Sequence, residues 1–170
     1  MVSAHLPSNI VPCRPLHLVA LAEYMRECEQ RQFLAVLGGQ RFNADTVAHA
    51  LVNSWATSAP YAVTVLHADG VTPAAAGGFE PIGQGIWQSW MVGTENGWDE
   101  QWRAMTKASR WLIEQLFAQG ARRIQVNALA DRTKAIEWFE RSLGLVPDGV
   151  WHGHGANGED IAHFSRMRGA

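Results

Sequence analysis

The stretch from Val126 to Leu145 limits the fold more than any other part of this chain. Ile124 to Ala128 is short and carries β-branched residues at Ile124 and Val126, the pattern of a strand. A tight break follows. The next segment then places Ala135, Ile136, Phe139 and Leu143 on one helical face. Asp131 can cap that helix with its carboxylate, and Gly144 can take the left-handed position that ends it. A strand feeding directly into a short amphipathic helix leaves α/β and α+β both open by periodicity alone.

The rest of the chain supplies compatible pieces. Ile10 to Cys13 reads as a first strand, with Pro12 arguing for a sheet edge. Pro15 suits a first helical turn, and Leu18, Leu21, Met25 and Cys28 recur at helical steps. This predicts one helix to about Gln30, with Phe33, Leu34 and Leu37 as a continuation that Gly38-Gly39 ends. Asn43 or Asp45 can cap a second helix, with Val47, Leu51 and Trp55 on one face. Tyr61 to His67 is a strong strand, Asp69-Gly70 a hairpin turn, and Val71 to Phe79 its partner. Pro81 to Gly85 reads as a turn, and Ile86 to Val92 as a central strand. A long helix follows from about Trp98 to Ala118, with a stripe of Trp98, Trp102, Met105, Ser109, Leu112 and Leu116. Val146 to Gly153 and Glu159 to Met167 read as the last two strands.

With 170 residues and no repeat or linker, the chain reads as a single domain over 1–170, with 1–8 a loosely tied arm. Fourteen basic and 16 acidic residues give a near-neutral balance, which argues against nucleic acid or an anionic membrane as partner. No apolar run is long enough to span a bilayer, and the two cysteines do not form a disulfide framework, so a cytoplasmic setting is expected. Eight tryptophans stand out. Most read as aromatic core, while Trp87, Trp90 or Trp98 can line a ligand cleft.

Over about residues 85–168 the chain resembles the GNAT N-acetyltransferase superfamily. The residues that carry the likeness are Asn127 at a strand end, then Ala135, Phe139, Gly144 and Leu145 on and after the following helix. The resemblance implies a mixed α/β fold: a central, mostly antiparallel twisted sheet, splayed between strands 4 and 5 and flanked by helices. It also implies acetyl-CoA as co-substrate and direct transfer of acetyl to an amine, on a small molecule or a protein, in a ternary complex. In relatives, main-chain donors at the start of the helix after the fourth strand hold the cofactor diphosphate, in an Arg/Gln-x-x-Gly-x-Gly/Ala pattern. Aligned on Gly97, this chain reads Thr94-x-x-Gly97-x-Asp99. One glycine is kept, and Glu95, Asp99 and Glu100 bring negative charge to the place.

By this resemblance, Thr94, Gly97, Trp98, Asn127, Arg132 and Lys134 are the cofactor-binding candidates, and Met91 and Val92 offer backbone N–H groups to the thioester carbonyl. Asn127 has a second use, bonding the turn before Asp131. Glu80 or Glu95 is the candidate to steer or deprotonate the amine. The tyrosine that often protonates the leaving thiolate in relatives falls at Phe139, which has no proton to give. His152, His154 and His163 with Glu159 and Asp160 have a spacing that could hold zinc, but it is a common one, and no metal is expected. The rival expectation is a GNAT fold kept as a non-catalytic interaction protein. The chain also resembles GNAT-like proteins of tailed phages, which leaves a homodimer or a virion partner open as the occupant of exposed tryptophans.

Overall fold

The computed structural model describes residues 6–169. Its elements run β1 (Ile10–Pro12), α1 (Pro15–Glu23), α2 (Glu27–Leu37), α3 (Ala44–Ser58), β2 (Ala62–Leu66), β3 (Pro73–Gly83), β4 (Ile86–Gly93), α4 (Glu95–Ala118), β5 (Arg123–Leu129), α5 (Thr133–Leu143), β6 (Val146–Trp151) and β7 (Ile161–Met167). One seven-stranded sheet has the order β1-β2-β3-β4-β5-β7-β6. Every pairing is antiparallel except β4 with β5.

Strand alternation divides the core between the two sheet faces. One face packs Val63, Val65, Ala75, Phe79, Ile124, Val126 and Phe164 against Met105, Leu112 and Leu116 of α4 and Leu143 of α5. The other packs Ala62, Ala76 and Val92 against Leu18 and Leu21 of α1 and Val47 and Leu51 of α3. α2 crosses near β5, with Ala35 against Leu129 and Ile161.

Several boundaries depart from the sequence expectation, each for a tertiary reason. The single helix expected from Pro15 is two helices. The intervening Met25 bridges to Thr94, and the Arg26 N–H donates to the Gly93 carbonyl, so this segment is drawn to the end of β4. β3 does not stop at Phe79. Its ladder with β4 runs on through Glu80 and Pro81 to Gly83, past an irregularity, and the turn shrinks to Gln84-Gly85. α4 begins at Glu95, three residues early, because Thr94 is its N-cap and accepts from the Gly97 N–H at 3.0 Å. Asn43, rather than Asp45, caps α3 through the Thr46 N–H at 2.8 Å. Asp131 does not cap α5, whose N-terminus has no side-chain cap; it pairs with Arg31 at 2.7 Å instead. Gly144 does end α5 in the left-handed region, at φ 67°. Residues 1–5 of the expected arm lie outside the described residues. Leu6 packs on the core and the Pro7 carbonyl accepts from Ile10 at 2.9 Å, so this part of the segment is tied to the sheet.

Candidate active-site cleft

β4 and β5 are paired only at Ile86–Arg123, Trp87–Ile124 and Gln88–Gln125. Beyond that the two strands part, although β4 continues to Gly93 and β5 to Leu129. The Gln125 amide donates to Gln88 Oε1 at 3.0 Å and closes the floor of the opening. Above it lies a cleft of about 980 Å³, bounded by α2, α3, β3, β4, α4, β5 and α5. Two parting strands leave backbone groups with no sheet partner, which is why such a gap suits an extended ligand with its own amide groups.

The sequence candidates are distributed unevenly along this cleft. Glu80 lies on β3 rather than in a loop, opposite Gln88 where the strands begin to part, and its carboxylate accepts from Thr57 Oγ1 at 3.1 Å. Glu95 lines the cleft too, but from the exposed first turn of α4 at the other end of β4. At about 3.3 Å per residue the seven positions from Gln88 to Glu95 span roughly 23 Å of backbone, more than two glutamate side chains can bridge, so the two do not meet at one reacting atom. Met91 and Asn127 lie on the two walls. Asn127 is opposite His163 on β7 and shares a sheet face with Gln125 and Leu129. Val92 is fully buried under α1 and α3, and its N–H faces β3, as does the Thr94 N–H that donates to Ala74, so of the two expected main-chain donors only Met91 faces the gap. Phe139 lines the cleft among aromatics, its ring 5.9 Å from Trp138 and 5.6 Å from Phe164.

The mouth of the cleft is built around a residue the sequence reading did not single out. Glu29 of α2 is only 3% exposed. Its carboxylate accepts from the Gly93 backbone N–H at 2.7 Å and from Trp98 Nε1 at 3.0 Å. It pairs with Arg26 at 2.6 Å and lies 3.8 Å from Arg132. Arg26 also stacks over the Trp98 ring at 4.3 Å, and Trp98 meets Trp138 edge to face at 5.5 Å. A buried carboxylate must recover its lost hydration from such partners, and here two N–H donors and two guanidinium groups supply it.

This arrangement changes the roles of the phosphate candidates. Thr94 spends its hydroxyl capping the helix. The Gly97 N–H goes to that hydroxyl, and a Cβ at Gly97 would overlap the Ala74 carbonyl, so this glycine permits α4 to sit close on β3. Arg132 is not a solvated helix end. It turns inward, with Gln32 Oε1 at 3.5 Å and Cys28 Sγ at 3.9 Å besides Glu29. Lys134 is exposed on the cleft rim. The one sequence sign of this cluster was Arg26 three residues before Glu29, and such pairs abound on solvated helices.

The histidines do not converge on a metal. His152 pairs with Asp160 at 2.8 Å, while His163 stacks on Trp151 with centroids 4.0 Å apart. Among the described residues no three His, Cys, Asp or Glu side chains gather as a metal site, and no helix is long and apolar enough to cross a membrane.

No family model matches the chain, and no curated protein matches it in sequence. Solved structures do match in fold. A GNAT-family acetyltransferase from Bacillus anthracis superposes with a TM-score of 0.70 at 12% identity, over 95% of each chain. Phosphinothricin acetyltransferase from Sinorhizobium meliloti, determined in complex with AcCoA, gives 0.68 at 14% identity, over 94% of this chain and 88% of its own. Ribosomal-protein-S5-alanine acetyltransferase from Vibrio fischeri gives 0.65 at 15% identity, over 94% of this chain and 92% of its own. The chain therefore has the GNAT acetyltransferase fold, as the resemblance over residues 85–168 implied.

Proposed function

We propose that this protein is an acetyl-CoA-dependent N-acetyltransferase that transfers acetyl directly to an amine held in the same cleft. The observation that carries this reading is the parting of β4 and β5 after three paired positions, opening into a cleft of about 980 Å³. Its apolar walls fit a pantetheine arm with the thioester beside Met91, three positions along β4 from the Gln88–Gln125 floor. The donor brings an activated acetyl group; the chain supplies alignment, an effect that can lower a barrier by about 7–11 kcal/mol.

Glu80 is the carboxylate at the floor end of the cleft, and it draws in a cationic amine and takes its proton, directly or through water. The Met91 main-chain N–H polarises the carbonyl; the Val92 N–H faces β3, as does the Thr94 N–H two positions on, which donates to Ala74. Phe139 excludes water and donates no proton, so the thiolate is protonated from solvent or by the amine's own proton. Glu95, at the far end, takes no part in proton transfer. Asn127 holds the arm from the β5 wall.

Acetyl-CoA at 100 times its dissociation constant is expected to stabilise the fold by about 2.7 kcal/mol, read as a rise in melting temperature. A panel of primary amines with detection of released thiol then identifies the acceptor. A second reading, a binding protein without catalysis, is favoured by the carboxylate of Glu29 on the strand-end N–H and by exposed Trp102 and Trp151. It predicts no thermal shift at millimolar acetyl-CoA.

A further inference from the structure

The fit of acetyl-CoA is good along the arm and poor at the diphosphate. In a fold of this kind an anion would be received by N–H groups where β4 ends and α4 begins. Here the connection is the single residue Thr94. The Gly93 N–H and the Trp98 indole N–H already serve Glu29, and the Gly97 N–H already serves Thr94. This leaves the Glu95 and Asn96 N–H groups of the first turn, in a turn that carries the Glu95 carboxylate beside the buried Glu29. The two arginines in reach, Arg26 and Arg132, are aimed at the same carboxylate. Glu29 is anchored by the helix that carries it, since α2 also holds Leu129 N–H through Gln32 Oε1 at 2.7 Å.

We propose that the Glu29 carboxylate permanently fills the phosphate subsite, so that this cleft recognises thioester donors by their pantetheine arm and gains little or nothing from the phosphate attached to it. The proposal rests on the acetyltransferase reading and narrows its donor class: any acetylated pantetheine, with or without a phosphate, is a ligand of similar strength. A diphosphate brought to this place would meet a buried negative charge and no unclaimed donor among Gly93, Gly97 and Trp98. Removing the carboxylate would leave a set a phosphate can use: two N–H groups, Arg132, and Arg26, whose buried Nε has no hydrogen-bond partner among the described residues.

The test compares S-acetylpantetheine with S-acetyl-4′-phosphopantetheine, two ligands that differ by one phosphate, with acetyl-CoA as reference. Dissociation constants are measured on the wild type and on Glu29→Ala. In the wild type the two pantetheine ligands should bind within about threefold of each other, because no charge-assisted bond reaches the added phosphate. In Glu29→Ala the phosphorylated ligand should gain about tenfold, equivalent to about 1.4 kcal/mol, while S-acetylpantetheine stays unchanged. A wild-type preference of about a hundredfold for the phosphorylated ligand would overturn the proposal. So would a Glu29→Ala protein that folds and shows no gain. The wild-type ratio decides the matter if the variant does not fold. Failure of acetyl-CoA and S-acetylpantetheine alike to bind the wild type removes the acetyltransferase reading itself, and this proposal with it.

Discussion

The two ends of the cleft were made in different ways. At the floor, the geometry is a property of the sheet: a parallel pair that lasts three positions, two glutamines joined across it, and apolar residues on either side. At the mouth, the geometry depends on a residue from another element. Glu29, on α2, accepts from the Gly93 N–H at the strand end and anchors the indole of Trp98. The floor can vary in side chains and remain an opening. The mouth depends on one carboxylate and the small residues that let α4 come close.

Gly97→Ala is expected to give the largest effect on this contrast. The added methyl collides with the Ala74 carbonyl, a backbone atom that cannot step aside, so α4 must shift off β3. We expect a loss of about 3 kcal/mol, the upper end of overpacking costs, measured by urea unfolding. If Gly97 served phosphate instead, the same variant would keep its stability and lose only cofactor affinity.

Trp98→Phe comes next. It keeps most of the ring against Trp138 but withdraws an N–H from a buried carboxylate. Leaving an acceptor of this kind short of a partner costs about 1–3 kcal/mol. A Trp98→Phe protein as stable as the wild type would mean that Arg26 and Gly93 suffice to hold Glu29. Thr94→Ala should cost about 1 kcal/mol through loss of the α4 cap, with no change in donor affinity if the hydroxyl serves only the Gly97 N–H.

The elements beside the floor were legible in the sequence because they follow from short-range pattern, while the parting of β4 from β5 was expected only from the resemblance. The β-branched run at Ile124 and Val126, the face of Ala135, Ile136, Phe139 and Leu143, and the stop at Gly144 are local signals, and the fold they imply is the one seen. The mouth was not legible, because its causes are far apart in the chain. Glu29 meets Gly93 across 64 positions and Trp98 across 69, and no local pattern announces such a pairing. The same distance explains the misread cap. Asp131 has the right residue type for the start of α5, but Arg31, 100 positions away, takes it. The early start of α4 follows the same logic: Thr94 is a good cap by type, yet its alignment to a family pattern placed it in a loop that this chain does not have.

The smallest expected effect lies away from both ends, on the hairpin face of β7. Burial lowers the pKa of His163 below its ordinary value; the positive charge of His154 adds to this, and Asp148 opposes it. Its Nε2 is buried without a hydrogen-bond partner among the described residues, and its ring lies on Trp151. The folded state therefore prefers the neutral ring. With the folded pKa below the unfolded one, the unfolded chain binds more protons in the window between them, so the contribution is present above about pH 6.5 and is lost as pH falls through the folded value. Urea midpoints should drop between pH 7.5 and pH 5, and His163→Gln should flatten part of that drop while leaving acetyl-CoA affinity unchanged. A variant with the wild-type pH dependence would place the titration elsewhere, with His17 the next candidate, since burial and Arg14 lower its pKa as well.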